Sequence, residues 1–203
     1  MVFSDQRGST LLELIVTLGI FALVIGAVAA IFMTSFQSKD IAFEQLNVQS
    51  QARKTIQDFT NEFRSATQSS IGAYPIEYAD GQQIIFYANI DTDSLRERVR
   101  YFVQGSNLQK GVIKPTGNPL VYNTTNEVIT TVVQSLTNTS TPIFTYYGQD
   151  YDGVTNTSPL PSPVDVSAIR VVKMALTIDK SPIFSPAPLL VEGMSEARNL
   201  KSN

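Results

Sequence analysis

The chain has 203 residues, a formal net charge of −3, and neither cysteine nor histidine. Disulfides, thiol catalysis and cysteine zinc sites are thereby excluded, and the commonest general base and metal ligand is missing. Catalysis would have to rest on carboxylates, Lys, Ser or Tyr, and none of these falls into a catalytic spacing, so the chain reads as a non-enzyme.

A short polar head, Met1–Arg7, leads into Gly8-Ser9-Thr10-Leu11-Leu12-Glu13 and an apolar run that continues to Phe36. Over the 26 residues from Leu11 to Phe36 the single charge is Glu13. As a helix this run spans about 39 Å at ~1.5 Å per residue, more than the roughly 30 Å hydrocarbon core of a bilayer. An ionisable group inside such a segment is costly and marks function by default. The bland alternative is that Glu13, near the end of the run, snorkels to the interface. A plain signal anchor is one reading of the whole segment. A cleaved secretory signal is another, with Ala27-Val28-Ala29 as its small-residue site. Against it, the run exceeds an h-region of about 7–15 residues, and Asp5 offsets Arg7 in the head. Ala22, Gly26 and Ala30 recur every four residues on one face, a spacing that lets apolar helices approach closely.

Gly8 with Glu13 at the fifth place after it, behind a hydrophilic leader and on a bilayer-length run, resembles the class III signal of type IV pilins and type II secretion pseudopilins. The resemblance implies a cut between Gly8 and Ser9 by prepilin peptidase and N-methylation of Ser9. It also implies pairing of the new Ser9 ammonium with Glu13 of a neighbouring subunit. Removing one partner of a buried ion pair costs about 3–5 kcal/mol, so the carboxylate would favour helices packed in register. Two positions depart from the family pattern: Ser9 stands where Phe is usual, and Ala30 where a proline is frequent. The implied partners are other pilins or pseudopilins, the inner-membrane assembly platform and, before assembly, membrane lipid. The implied location is the bacterial inner membrane, crossed once with the head extracytoplasmic, and then a pilus or pseudopilus.

Beyond Phe36 the run turns polar while helical periodicity persists. Val48, Ala52, Ile56, Phe59, Phe63 and Ala66 form one stripe, with Gln49, Lys54, Gln57 and Glu62 among the polar positions. With no Pro or Gly between Ile31 and Ser70, the spacing predicts one helix of about 60 residues. Gly72 and Pro75 end it. The chain thus divides into a leader (1–8), a membrane or filament-core helix (9–36), the amphipathic half of that helix (37–70) and a head (71–203).

The head changes period. Ile84-Ile85-Phe86-Tyr87 is strand-like, and Val99, Tyr101 and Val103 alternate with Arg100, Phe102 and Gln104. Gly105-Ser106-Asn107 then supplies a turn into Leu108–Ile113, a hairpin pattern. Further strands are expected within Val128–Leu136, Ile143–Tyr147 and Ile169–Ile178. Ser181–Pro188 carries three prolines and predicts an irregular tail. The fold class is α+β: a long N-terminal helix, transmembrane and then amphipathic, packed against a mainly antiparallel sheet. In its order of elements the head resembles the larger minor pseudopilins, the J-type subunit of type II secretion above all. The function this implies is a minor pilin or pseudopilin at a tip or priming complex. The alternatives are a major shaft pilin used for adhesion, motility or DNA uptake, and an unprocessed membrane-anchored binding domain.

No cofactor is expected, with calcium the one ion worth weighing. Asp91-Thr92-Asp93 and the pair Asp150 and Asp152 could each supply oxygen ligands. Neither matches the twelve-residue calcium loop, and Asp is also favoured in turns for local reasons. Arg96, Arg98 and Arg100 share one strand face, read as a solvated edge or face. Three arginines without a wider basic field do not make a nucleic-acid surface. Tyr146, Tyr147 and Tyr151 read as core and rim packing.

Overall fold

A computed structural model describes residues 10–179 and 188–200. Helix α1 spans Leu11–Arg64, and eight strands follow, all paired antiparallel: β1 (Ile76–Ala79), β2 (Gln83–Ala88), β3 (Glu97–Gln104), β4 (Asn107–Ile113), β5 (Val128–Val133), β6 (Phe144–Tyr147), β7 (Val171–Ile178) and β8 (Leu189–Glu196). The chain forms two compact units, Met1–Glu44 and Gln45–Asn203.

In the first unit, Leu11–Met33 is long and apolar enough to cross a membrane by length and composition, and its side chains are exposed along the whole stretch. An apolar surface of that extent is not stable in water and needs lipid or other protein around it. Thr10 caps the helix: its Oγ1 accepts the Glu13 amide at 3.4 Å and its carbonyl takes the Leu14 amide at 3.2 Å. Thr-x-x-Glu is the spacing of a capping box, and a carboxylate in the first turn also suits the helix dipole.

In the second unit the expected stripe is the core face of α1. Ala52, Ile56, Phe59 and Phe63 are buried, Ala66 is buried just past the helix end, and Val48 packs partly buried against them. The helix stops at Arg64, six residues before Ser70, because the Ser-Ala-Thr-Gln-Ser-Ser run is poor helix material and its donors find other partners. The Thr67 amide binds the Tyr87 carbonyl at 2.9 Å, and Ser69 Oγ accepts the amides of Ile71 and Ala73.

The head holds two sheets rather than one. β1-β2-β3-β4-β5 is a five-stranded meander in sequence order, and β6-β7-β8 is a three-stranded sheet. The hairpin expected around Gly105 is present: Gln104 pairs with Asn107 across a two-residue turn, and Gly105 takes φ +59°, which glycine adopts without strain. A strand that the sequence does not announce, β8, follows the proline-rich stretch directly, and its pairing with β7 runs from Val171–Glu196 to Ile178–Leu189. Ser181–Ala187 lies outside the described residues. β1 is four residues long and has no run of alternating apolar positions, so its sequence carries little strand signal. It exists because β2 offers it an edge. Phe59 joins both sheets: its ring lies 5.2 Å from Tyr101, 6.2 Å from Phe86 and 5.7 Å from Phe144.

Candidate functional site

Glu13 sits in the first turn of α1 with its side chain exposed. One turn on, the Thr17 hydroxyl donates to the Glu13 and Leu14 carbonyls, both at 2.9 Å, so Thr17 can lie in an apolar helix without an unsatisfied hydroxyl. Ala22, Gly26 and Ala30 lie on α1 within the exposed apolar segment, and a Cβ built at Gly26 meets nothing within 4 Å. Nothing among the described residues therefore requires a glycine there. Gly8 and Ser9 lie outside the described residues. Thr10 was not singled out from the sequence as a functional neighbour of Glu13, although Thr-x-x-Glu ahead of an apolar run is a readable signal.

Two of the three arginines are held in closed pairs. β3 is an interior strand between β2 and β4, so of the edge or face that the sequence offers, its arginines occupy a sheet face, where they are half-buried. Arg98 reaches across β2 to clasp Glu77 with two bonds of 2.7 Å, and Tyr87 Oη donates to the same carboxylate at 2.5 Å. Arg100 reaches the other way across β4 to Glu127, at 2.8 and 2.6 Å, with its guanidinium 3.7 Å above the Phe102 ring. Arg96 is placed through its backbone: its amide donates to Ser70 Oγ and its carbonyl accepts from Tyr122 Oη. Burial opposes ionisation of Glu77, but the Arg98 and Tyr87 hydrogen bonds and the Arg98 charge prevail, holding its carboxyl below the usual range. Burial, with the neighbouring Glu77 carboxylate, pushes the Tyr87 hydroxyl far above its ordinary value. Tyr146 is core, its hydroxyl donating to the Asp80 carbonyl at 2.7 Å, while the Tyr147 and Tyr151 rings meet at a tilt of 36° with centroids 4.2 Å apart.

Two acidic groups were candidates for an ion. At Asp152 the carboxylate is occupied by its own loop. Oδ1 accepts the amides of Val154, Thr155 and Asn156, Oδ2 accepts the Thr155 hydroxyl, and these bonds, the Thr155 hydroxyl foremost, hold its carboxyl well below the usual range. Asp150 is exposed beside it. Asp91 and Asp93 instead meet Glu97, one oxygen from each lying within 4.8 Å of the others, and Lys114 Nζ pairs with both aspartates. The Lys114 bond, reinforced by the Asp93 amide, lowers the Asp91 carboxyl. Sequence reading found the two aspartates but not Glu97 or Lys114, which reach them only through the register of β3 and β4.

No curated protein matches the chain. Residues 3–29 match the family model for the prokaryotic N-terminal methylation motif, a stretch that contains Gly8, Ser9 and Glu13. Such a signal implies processing by prepilin peptidase and assembly with other pilins. Together with the apolar helix Leu11–Met33, which it overlaps, it fits a membrane-anchored subunit. The chain therefore carries, ahead of an α+β pilin-like fold, the class III signal of type IV pilins and pseudopilins.

Proposed function

We propose that the protein is a minor pilin or pseudopilin: a structural subunit that is cut between Gly8 and Ser9, methylated on the Ser9 amine, and assembled at the tip or priming complex of a filament. The observation that carries this reading is the matched motif at 3–29, with Glu13 as the lone charge in the apolar run. Hydrolysis of the Gly8–Ser9 peptide creates an ammonium four residues before Glu13. In a filament that ammonium faces the Glu13 carboxylate of a neighbour, and two desolvated charges that are each costly alone neutralise one another. The exposed small-residue face of Ala22, Gly26 and Ala30 supports close helix packing of the same kind. The element order of the head, which resembles the J-type minor pseudopilin, supports a tip role over an abundant shaft role.

Mass spectrometry of the protein from its native membrane tests the maturation step. The expected chain begins at Ser9 with one added methyl group; a chain beginning at Met1 would identify an unprocessed anchored domain instead. Gly8→Leu should block the cut. Glu13→Ala should be cut normally yet be lost from filaments by about a hundredfold or more, the scale of a broken buried pair. Normal incorporation of that variant would refute the pairing. Low copy number in sheared filaments is expected of a tip subunit, and dominance there would make the protein a shaft pilin.

A further inference from the structure

Asp91 and Asp93 lie in the connection between β2 and β3, and Glu97 opens β3. Each of the three carboxylates has one oxygen held by a backbone amide. The Asp93 amide donates to Asp91 Oδ1 at 2.9 Å, the Leu95 amide to Asp93 Oδ1 at 2.7 Å, and the Ile90 amide to Glu97 Oε2 at 3.0 Å. The second oxygens of Asp91 and Asp93 accept from Lys114 Nζ, at 2.8 Å for Asp91. The second oxygen of Glu97 differs. Glu97 is 2 % exposed, and its Oε1 has no hydrogen-bond partner among the described residues. A buried carboxylate oxygen with nothing to accept forfeits its hydration without return, and native structures leave few such groups unexplained. The Glu97 carboxylate sits against two further carboxylates, and the Lys114 ammonium at the cluster is spent on the aspartates.

We propose that Asp91, Asp93 and Glu97 bind a divalent cation of the calcium type, which takes the place of the Lys114 ammonium. The donor set is all oxygen and comes from a loop and a strand end, which suits a hard cation of variable coordination number completed by water. Metals that favour nitrogen or sulfur have no histidine or cysteine to use in this chain. Magnesium asks for a stricter octahedron and gives up water reluctantly. Lys114 can yield its place at small cost, since its side chain is 48 % exposed and can turn into solvent. The bound ion would satisfy Glu97 and tie the β2–β3 connection to the start of β3. This site does not depend on the N-terminal signal or on any role in a filament.

Calcium titrated into the full chain in detergent, followed by calorimetry and by thermal unfolding, tests the assignment. One saturable site with a Kd of about 10⁻⁵–10⁻³ M is expected, from the weakest sensors to extracellular modules. Glu97→Gln and the more exposed Asp91→Asn should each weaken binding by about tenfold or more, one charge ligand being lost. Should Glu97→Gln fail to fold, Asp91→Asn carries the test alone. Lys114→Met should tighten binding by about fivefold, because an exposed ion pair no longer competes. Absence of a saturable site in the wild type, or binding unchanged in the folded carboxylate variants, overturns the proposal. Weaker binding in Lys114→Met overturns the displacement.

Discussion

Gly111 owes its identity to a salt bridge two strands wide. It sits on β4 directly opposite Arg100, and the Arg100–Glu127 clasp passes over it; a Cβ built there would overlap the Glu127 carboxylate. On the other side of β3 the matching clasp, Arg98–Glu77, passes over Tyr87, which joins it through its hydroxyl. Gly111→Ala should therefore destabilise the head by about 1–3 kcal/mol, the worth of a charged hydrogen-bond pair. The same change made in a Glu127→Ala background should cost far less, and denaturant unfolding of the four variants measures that coupling. The Glu77 pair sets a pH dependence. Its folded carboxyl lies below the ordinary 4.5, so its stabilisation is present above that value and is lost as pH falls through the folded one. The stability difference between wild type and Glu77→Gln should be flat above about pH 6 and shrink below about pH 4, as read by urea unfolding across that range.

At the scale of elements, the striped half of α1 organises the head. Phe59 stacks on Phe63 and meets rings from β2, β3 and β6, so one side chain bridges the five-stranded and three-stranded sheets. Phe59→Ala should cost about 3–5 kcal/mol, with loss of the near-ultraviolet signal of the surrounding rings. β8 approaches the same helix closely: Gly193 faces Ile56 with no room for a Cβ, and Ser195 Oγ donates to the Thr60 carbonyl at 2.9 Å. The stripe was legible in the sequence because burial on one side of a helix repeats every three or four residues. β1 and β8 were not. A short edge strand takes its conformation from the neighbour whose hydrogen bonds it completes, and its own residues state that preference weakly. The helix end was misplaced for a related reason. Gly72 and Pro75 are visible punctuation, whereas capture of the Thr67 amide by Tyr87 is a contact across 20 residues of chain.

For the whole molecule, the apolar segment of α1 decides where the protein resides. Leu23→Arg, near the middle of Leu11–Met33, should cost about 3 kcal/mol of membrane insertion. The measurement is release of the unprocessed chain by alkaline extraction, against retention of the wild type. Sequence alone determined that segment, the charge within it, the maturation signal and the helical stripe. All four are written in contiguous residues, where composition and period are the physics. The tertiary structure decided the rest. Division into two sheets, the clasps from Arg98 to Glu77 and from Arg100 to Glu127, and the meeting of Glu97 and Lys114 with Asp91 and Asp93 join residues up to 27 positions apart. Strand register brings those side chains to hydrogen-bonding distance, and register is a property of paired strands that no single stretch of sequence contains.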